Sequence, residues 1–354
     1  MHNQTYFKLI KKKFHKKKVL ITGNTGFKGV WLTKVLQEYG AKLYGISYKK
    51  KFENDKLYKK IKNHLKIKTF NLDISNKKNF EALVEKINPD YIFHFAAQSL
   101  VIKSWKFPLF NFNSNVEGSI NLIKSMHLLK KLKGTLLVTT DKVYLNNSKR
   151  KKFTEKDPLG GNDPYSLSKV ICDQIFQYFA SYICKKNTNF SIIRSGNVYG
   201  GGDFAENRLI GDYYKSNKKI IIRNPKNTRP YQFILDVIFY YLLIMSKNKS
   251  YSIWNIGPKK SENSLSIIKK LNSFSDIKKN IIIKKSISKK NTEKKFLSLS
   301  MKKADKFFKY KMQININEGL KQTNLINQNF KKTGNAINKM INDQINTYTK
   351  NANV

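Results

Sequence analysis

The sequence predicts an α/β chain built on a doubly wound parallel sheet, with a smaller C-terminal substrate-binding lobe. Three observations predict it. Residues 19–29 read VLITGNTGFKG, a short apolar run that feeds Gly23, Gly26 and Gly29 and then a helical run over 30–39 stopped by Gly40. Apolar strand-like runs alternate with helical segments from residue 18 to about residue 199, the cadence of parallel strands joined by right-handed crossovers. That cadence breaks over 203–236, where a capping lobe is expected.

In the first stretch a buried parallel strand meets a turn that glycine makes most easily. Gly23 permits the tight turn, Gly26 lets the backbone approach a pyrophosphate, and Gly29 lets the helix pack close to the strand. The helix N-terminus is then aimed at the anion. Thr25 and Phe27 belong to the same turn. The spacing is G-x-x-G-x-x-G, and a lone triplet also occurs in purely structural turns. The strand–triplet–helix context favours nucleotide binding.

Before this strand, residues 1–17 (MHNQTYFKLIKKKFHKK) read as a basic, flexible leader without the apolar core of a signal peptide. A dinucleotide-binding domain is expected over 18–190. Its second strand, 42–47, ends in Ser47-Tyr48-Lys49-Lys50, where an acid for the adenosine ribose often stands. Lys49 or Lys50 suits a 2′-phosphate, so NAD and NADP both stay open. Residues 48–64 read as a loop with a short helix. A third strand over 66–73 carries Asp73 at its tip, and a helix over 77–87 stops before Pro89. The fourth strand and its small-residue end, 91–98, bring Ala96, Ala97 and Gln98 to the sheet edge, where a cofactor would lie. His94 on this strand reads as a packed core histidine. A helix over 112–132 precedes the strand 135–140, whose end Thr140-Asp141-Lys142 should face a ligand. Residues 190–199 form a sixth strand and loop. The span 191–334 is read mainly as the lobe, with returning strands of the sheet, and 335–354 as a terminal helix with a frayed tail.

The formal charge is +46, yet lysine is spread from end to end rather than gathered on one face. That distribution points to a solvated surface and away from a nucleic-acid partner. Only five arginines occur, and Arg194, Arg208, Arg223 and Arg229 fall close together, with Arg150 apart. Where lysine is so common, retained arginine marks a need for a planar bidentate fork, so this cluster hints at an anionic ligand. Cys172 and Cys184 read as buried thiols of a reducing compartment. The longest apolar run, 237–245, is about half of the roughly 20 residues that span a bilayer and reads as a core helix.

The segment GGNDPYSLSK (160–169) reads as a turn and a helix, with Tyr165 and Lys169 on one helical face. An ammonium near a phenol lowers its pKa from about 10 and makes a usable base. The Y-x-x-x-K pattern alone is weak in a lysine-rich chain: Tyr182 finds Lys186 at the same spacing. Tyr165 is set apart by following the fifth strand and by the company of Thr140.

With the glycine triplet, Thr140, Tyr165 and Lys169 in hand, the chain resembles the extended short-chain dehydrogenase/reductase family, in its nucleotide-sugar dehydratase and epimerase group. The resemblance rests on TGNTGFKGVWL (22–32), HFAAQSLVIKSW (94–105), TTDKVY (139–144), EKDPLGGNDPYSLSKV (155–170), RSGNVYGGGDFAENRLI (194–210), IIIRNPKNTRPYQ (220–232) and WNIGP (254–258). It implies a Rossmann-like fold and a nicotinamide cofactor, NAD with NADP not excluded, held by Gly23, Thr25, Gly26, Phe27, Gly29, Asp73, Ala96, Ala97 and Gln98 with Tyr165 and Lys169. It implies that Tyr165 takes the proton of a sugar C4 hydroxyl, that Thr140 hydrogen-bonds that hydroxyl, and that Lys169 holds the nicotinamide ribose. Asp141 would be the acid at the C6 hydroxyl. Lys142 stands where most such dehydratases carry a glutamate base, as in the members that act on CDP-glucose; it is either a neutral base or an electrostatic stabiliser of the enolate. Asn197, Arg208 and Arg229 would hold the nucleotide sugar. The resemblance further implies a cytoplasmic homodimer or homotetramer, paired through 112–132 and 165–184, with no metal, no nucleic acid and no membrane. Two strings depart from the family's pattern: Arg229-Pro230-Tyr231-Gln232-Phe233 replaces R-P-W-Q-H, and Leu209-Ile210-Gly211 replaces L-I-P. Both touch base specificity.

Overall fold

A computed structural model describes residues 3–48, 55–147, 151–183, 188–248, 250–276, 278–284 and 294–350. Lys49, Lys50, Arg150, Cys184 and Lys186 lie outside the described residues. Seven parallel strands form the central sheet: β1 (Lys18–Thr22), β2 (Lys42–Ser47), β3 (Ile67–Asn71), β4 (Tyr91–His94), β5 (Gly134–Val138), β6 (Asn189–Ser195) and β7 (Tyr251–Ile256). Their order is β7-β6-β5-β4-β1-β2-β3, so the direction of winding reverses between β1 and β4. In open α/β sheets a ligand crevice forms at that reversal, beyond the carboxyl ends of the strands.

Side chains alternate across the sheet because a strand repeats every two residues. Val19, Ile21, Phe93, Leu136 and Ile193 enter one apolar cluster, and Leu20, Ile92, Leu137 and Ile192 enter the other. The first cluster is built around the helix Ile234–Lys247, in which every residue from Ile234 to Met245 is buried. The run read as a core helix is therefore the middle of the larger core. The second cluster is covered by helices Lys77–Ile87, Gly118–Leu128 and Pro164–Ile183.

Several expectations are corrected. The N-terminal segment is not flexible: Asn3–Phe14 is a helix, here α1, with Tyr6, Phe7, Ile10 and Phe14 buried. Phe7 packs edge-on against Phe239 at 4.8 Å between ring centroids, and Phe14 against Tyr91 at 4.9 Å. Buried apolar surface anchors it, and its lysines lie mainly on the solvent side. The helix expected over 112–132 is present but runs from Pro108 to Leu128 and carries a π bulge, a wide turn, at Asn113–Glu117. Asn115 in that turn donates to the Gln98 carbonyl at 3.2 Å and to Ser168 Oγ at 2.9 Å, and its Oδ1 accepts from the Gln98 amide at 2.8 Å. Those three bonds occupy the wide turn. The lobe also holds short strand pairs that periodicity did not reveal, including Lys219–Ile222 with Asn280–Ile283 and Asn197–Tyr199 with Tyr231–Phe233.

The C-terminal helix Gly334–Lys350 closes over the core, with Tyr348 stacked on Phe239 at 4.9 Å. The Tyr348 hydroxyl donates to Asp236 at 2.6 Å, and that carboxylate also accepts from the Gln313 amide at 2.8 Å. Burial pushes the Asp236 carboxyl up to about 7, against the pull of these donors. Between about pH 4 and pH 7 the folded protein keeps a proton that the unfolded chain has lost, so stability falls as pH rises through this window. The slope from this group is at most about 1.4 kcal/mol per pH unit. Urea midpoints measured across the window should show the decline in the wild type and a flatter profile in Asp236→Asn.

Candidate active site

A cavity of about 1080 Å³ opens at the carboxyl ends of β1, β4, β5 and β6, at the top of the size range for small-ligand sites. Its floor is the glycine turn. Gly23 has φ +74°, and a Cβ there would lie 2.8 Å from the Ala96 nitrogen. A Cβ on Gly29 would lie 2.3 Å from the Gly23 carbonyl oxygen, so the helix Phe27–Glu38, here α2, sits directly on the turn. Gly26 caps α2 without a side chain, which leaves first-turn amides directed at the cavity. Thr25, Phe27, Ala96, Ala97, Gln98 and Asp73 also line the cavity. Where an acid often ends the second strand, Ser47 Oγ accepts from the Thr25 amide at 3.2 Å and donates to Asn24 at 2.9 Å. A narrow turn, uncapped amides and small flanking residues fit the diphosphate and ribose of a dinucleotide.

The opposite wall carries the reactive groups. Thr140 follows β5, and its hydroxyl donates to Asp141 Oδ1 at 3.0 Å while accepting from the Lys142 amide at 3.3 Å. Thr140, Lys142, Tyr165, Lys169, Asn197, Arg208 and Arg229 all line the cavity. Asp141 lies just behind Thr140, buried, with Oδ2 lacking a hydrogen-bond partner among the described residues. Burial raises its carboxyl to about 6, against Lys142, Thr140 and Arg229, which favour the ionised form. A carboxyl raised this far takes up a proton far more readily than an ordinary aspartate, the direction a general acid requires.

Tyr165 departs from expectation. Burial pushes its phenol up to about 12, and the opposing cation with the largest effect is Arg208, aided by a hydrogen bond with Thr140. Lys169, expected to lower it, donates instead to the Val138 carbonyl at 3.1 Å. The spacing puts both residues on the cavity wall, but the Lys169 ammonium is satisfied by the strand end. His94 is the packed histidine expected: it is buried, pairs with Thr22 Oγ1 at 2.8 Å, and burial lowers its ring to about 3.

The arginine cluster divides in two. Arg208, Arg223 and Arg229 line the cavity, and Arg208 meets Asp203 at 3.4 Å. Arg194 does not join them. It is buried behind the wall and forms a bidentate pair with Asp173 at 2.8 and 2.9 Å. Asp173 also accepts from Thr139 Oγ1 at 3.2 Å, and Arg194 donates to the Tyr144 hydroxyl at 3.2 Å. Asp173 lies on the helix Pro164–Ile183 that carries Tyr165 and Lys169, so the Arg194 pair fastens that helix to β6 and the Thr139 bond fastens it to the strand end bearing Thr140. Of the two departures, Tyr231 and Gly211 line the cavity, whereas Phe233 packs on Tyr199 at 5.9 Å. Phe233 is thus a core residue, away from the ligand wall.

A Rossmann-like sheet with a glycine turn facing Thr140, Tyr165 and Lys169 defines a protein of the short-chain dehydrogenase/reductase class. Residues 20–323 match the family model described as GDP-mannose 4,6 dehydratase. The chain belongs to that family. It is 32% identical over 262 residues to the CDP-glucose 4,6-dehydratase of Salmonella typhimurium, covering 69% of this chain and 71% of the relative. Among solved structures, the UDP-glucose 4-epimerase of Thermotoga maritima with UDP-glucose superposes with TM-score 0.79 at 22% identity, covering 89% of this chain and 100% of that one. The dTDP-glucose 4,6-dehydratase of Bacillus anthracis in complex with NAD gives 0.74 at 21% identity, covering 89% and 97%.

Proposed function

We propose that this protein is a CDP-glucose 4,6-dehydratase, an NAD-dependent hydro-lyase that yields CDP-4-keto-6-deoxyglucose. The observation that carries this reading is Asp141, a carboxyl raised to about 6 by burial and hydrogen-bonded to Thr140 beside the wall that holds Tyr165. A 4-epimerase needs the Thr, Tyr and Lys but no such acid. The similarity to the Salmonella enzyme and the Asp141-Lys142 pair support the cytidine nucleotide.

Bound nicotinamide supplies hydride acceptance at C4 and hydride return at C6. The protein's part is proton transfer and placement. Tyr165, as phenolate, takes the C4 hydroxyl proton while Thr140 holds that oxygen. The resulting ketone acidifies the C5 hydrogen. Lys142 faces that position either as base or as the cation that stabilises the enolate. Asp141 gives its proton to the C6 hydroxyl, which leaves as water. Arg208 and Arg229 hold the nucleotide's diphosphate and ribose, and Asn197 contacts the sugar nucleotide.

The activity would supply deoxysugars for surface polysaccharide in the cytoplasm. Among the described residues no helix is long and apolar enough to cross a membrane. Leu109, Leu128, Tyr178 and Tyr182 are exposed on helices that flank the cofactor side, and their apolar surface supports pairing of two copies.

The test is incubation with CDP-glucose, dTDP-glucose and GDP-mannose, each in deuterated water, followed by mass spectrometry. Loss of water with one deuterium incorporated, from CDP-glucose alone, is expected. Turnover of either other sugar nucleotide instead would reassign the base. A product of unchanged composition would mean epimerisation.

A further inference from the structure

Lys28 is the second residue of α2, between the glycines that shape the turn, and its side chain lines the cavity. Its ammonium lies 5.9 Å from the centroid of the Phe95 ring. Among the described residues it has no hydrogen-bond or ion-pair partner. The charged groups that act on it are Arg208 and Lys169, which repel it, and Asp203, which attracts it but is already paired with Arg208 at 3.4 Å. An ammonium held against two other cations, beside the uncapped start of a helix, is a site for anionic oxygen.

We propose that Lys28 is a ligand for a nucleotide diphosphate, and that the diphosphate is the cofactor's. Its place in the first turn of α2 favours the dinucleotide, whose pyrophosphate faces those amides, over the sugar nucleotide on the Arg208 side. The glycine pattern carries no information about this residue, which stands at a variable position of the motif. Burial, followed by Arg208 and Lys169, lowers the Lys28 ammonium to about 7. A bound diphosphate favours the ammonium, so binding takes up a proton and weakens as pH rises through about 7 and above.

The experiment measures binding of NAD+ alone and of CDP alone, by calorimetry, to wild type, Lys28→Met and Lys28→Arg. Urea midpoints confirm that each variant folds. Lys28→Met should weaken NAD+ by about 10- to 100-fold, the scale of a charge-assisted hydrogen bond, with Lys28→Arg retaining most of the affinity. The decline of affinity with pH should vanish in Lys28→Met. Weakened CDP with unchanged NAD+ would overturn the cofactor assignment and move the residue to the substrate's diphosphate. Unchanged binding of both would overturn the proposal. The inference rests on the cofactor rather than on CDP-glucose: if the cytidine reading fails, CDP binds neither wild type nor variant, and the NAD+ comparison still decides.

Discussion

Tyr165→Phe should lower kcat for the sugar nucleotide by about 10²- to 10⁴-fold, the range for loss of a positioned proton acceptor. The phenol has no substitute on the wall, because Thr140 gives its own proton to Asp141 at 3.0 Å. KM and NAD+ affinity should change little, since the ring stays packed and only the hydroxyl is lost. The pH profile adds a second reading. A phenol raised to about 12 by burial, with Arg208 already pulling it down, becomes a base only as it ionises, so wild-type kcat should climb with pH across the neutral and alkaline range. Steady-state kinetics across pH measure both, and a Tyr165→Phe variant with wild-type kcat would remove Tyr165 from the chemistry.

Asp173→Asn should cost about 3–5 kcal/mol of folding stability. The Arg194 side chain is 1% exposed and Asp173 is fully buried, so removing the carboxylate leaves a guanidinium charge without its bidentate partner. Replacing both residues with apolar ones of similar volume should recover most of that stability, because paired burial is often close to neutral overall. Activity should not recover with it. Thr139 loses its bond to Asp173, and the strand end bearing Thr140 is no longer fixed against the helix bearing Tyr165. Urea denaturation and kcat on the same two variants separate these effects.

Six of the sheet's strands were legible, most as short apolar runs bounded by a turn and β3 by its place in the alternation, since it reads Ile-Lys-Thr-Phe-Asn. The seventh, Tyr251–Ile256, was not assigned as a strand, because Ser252 and Asn255 interrupt its apolar run and its first half is only half-buried. Helix α1 was hidden by composition. Tyr6, Phe7, Ile10 and Phe14 form one buried stripe, but six basic residues between positions 8 and 16 dominate the segment. The site was legible where chemistry demands a residue type at a strand end, as at Thr140, or where a backbone conformation demands glycine, as at Gly23. It was not legible where partner choice decides a role. Arg194 and Arg208 look alike in sequence, yet one is neutralised in the core by Asp173 and the other lines the cavity. Lys28 was lost in a chain full of lysines, and what singles it out is its place in the cavity without a hydrogen-bond or ion-pair partner among the described residues.

In the proposed reaction hydride leaves C4 and returns at C6 of one sugar. CDP-glucose carrying deuterium at C4 tests it directly, with the product read by nuclear magnetic resonance. Loss of water, with deuterium in the new C6 methyl group, is the expected result. Deuterium found back on C4, in a product that has kept its C6 hydroxyl, would contradict it.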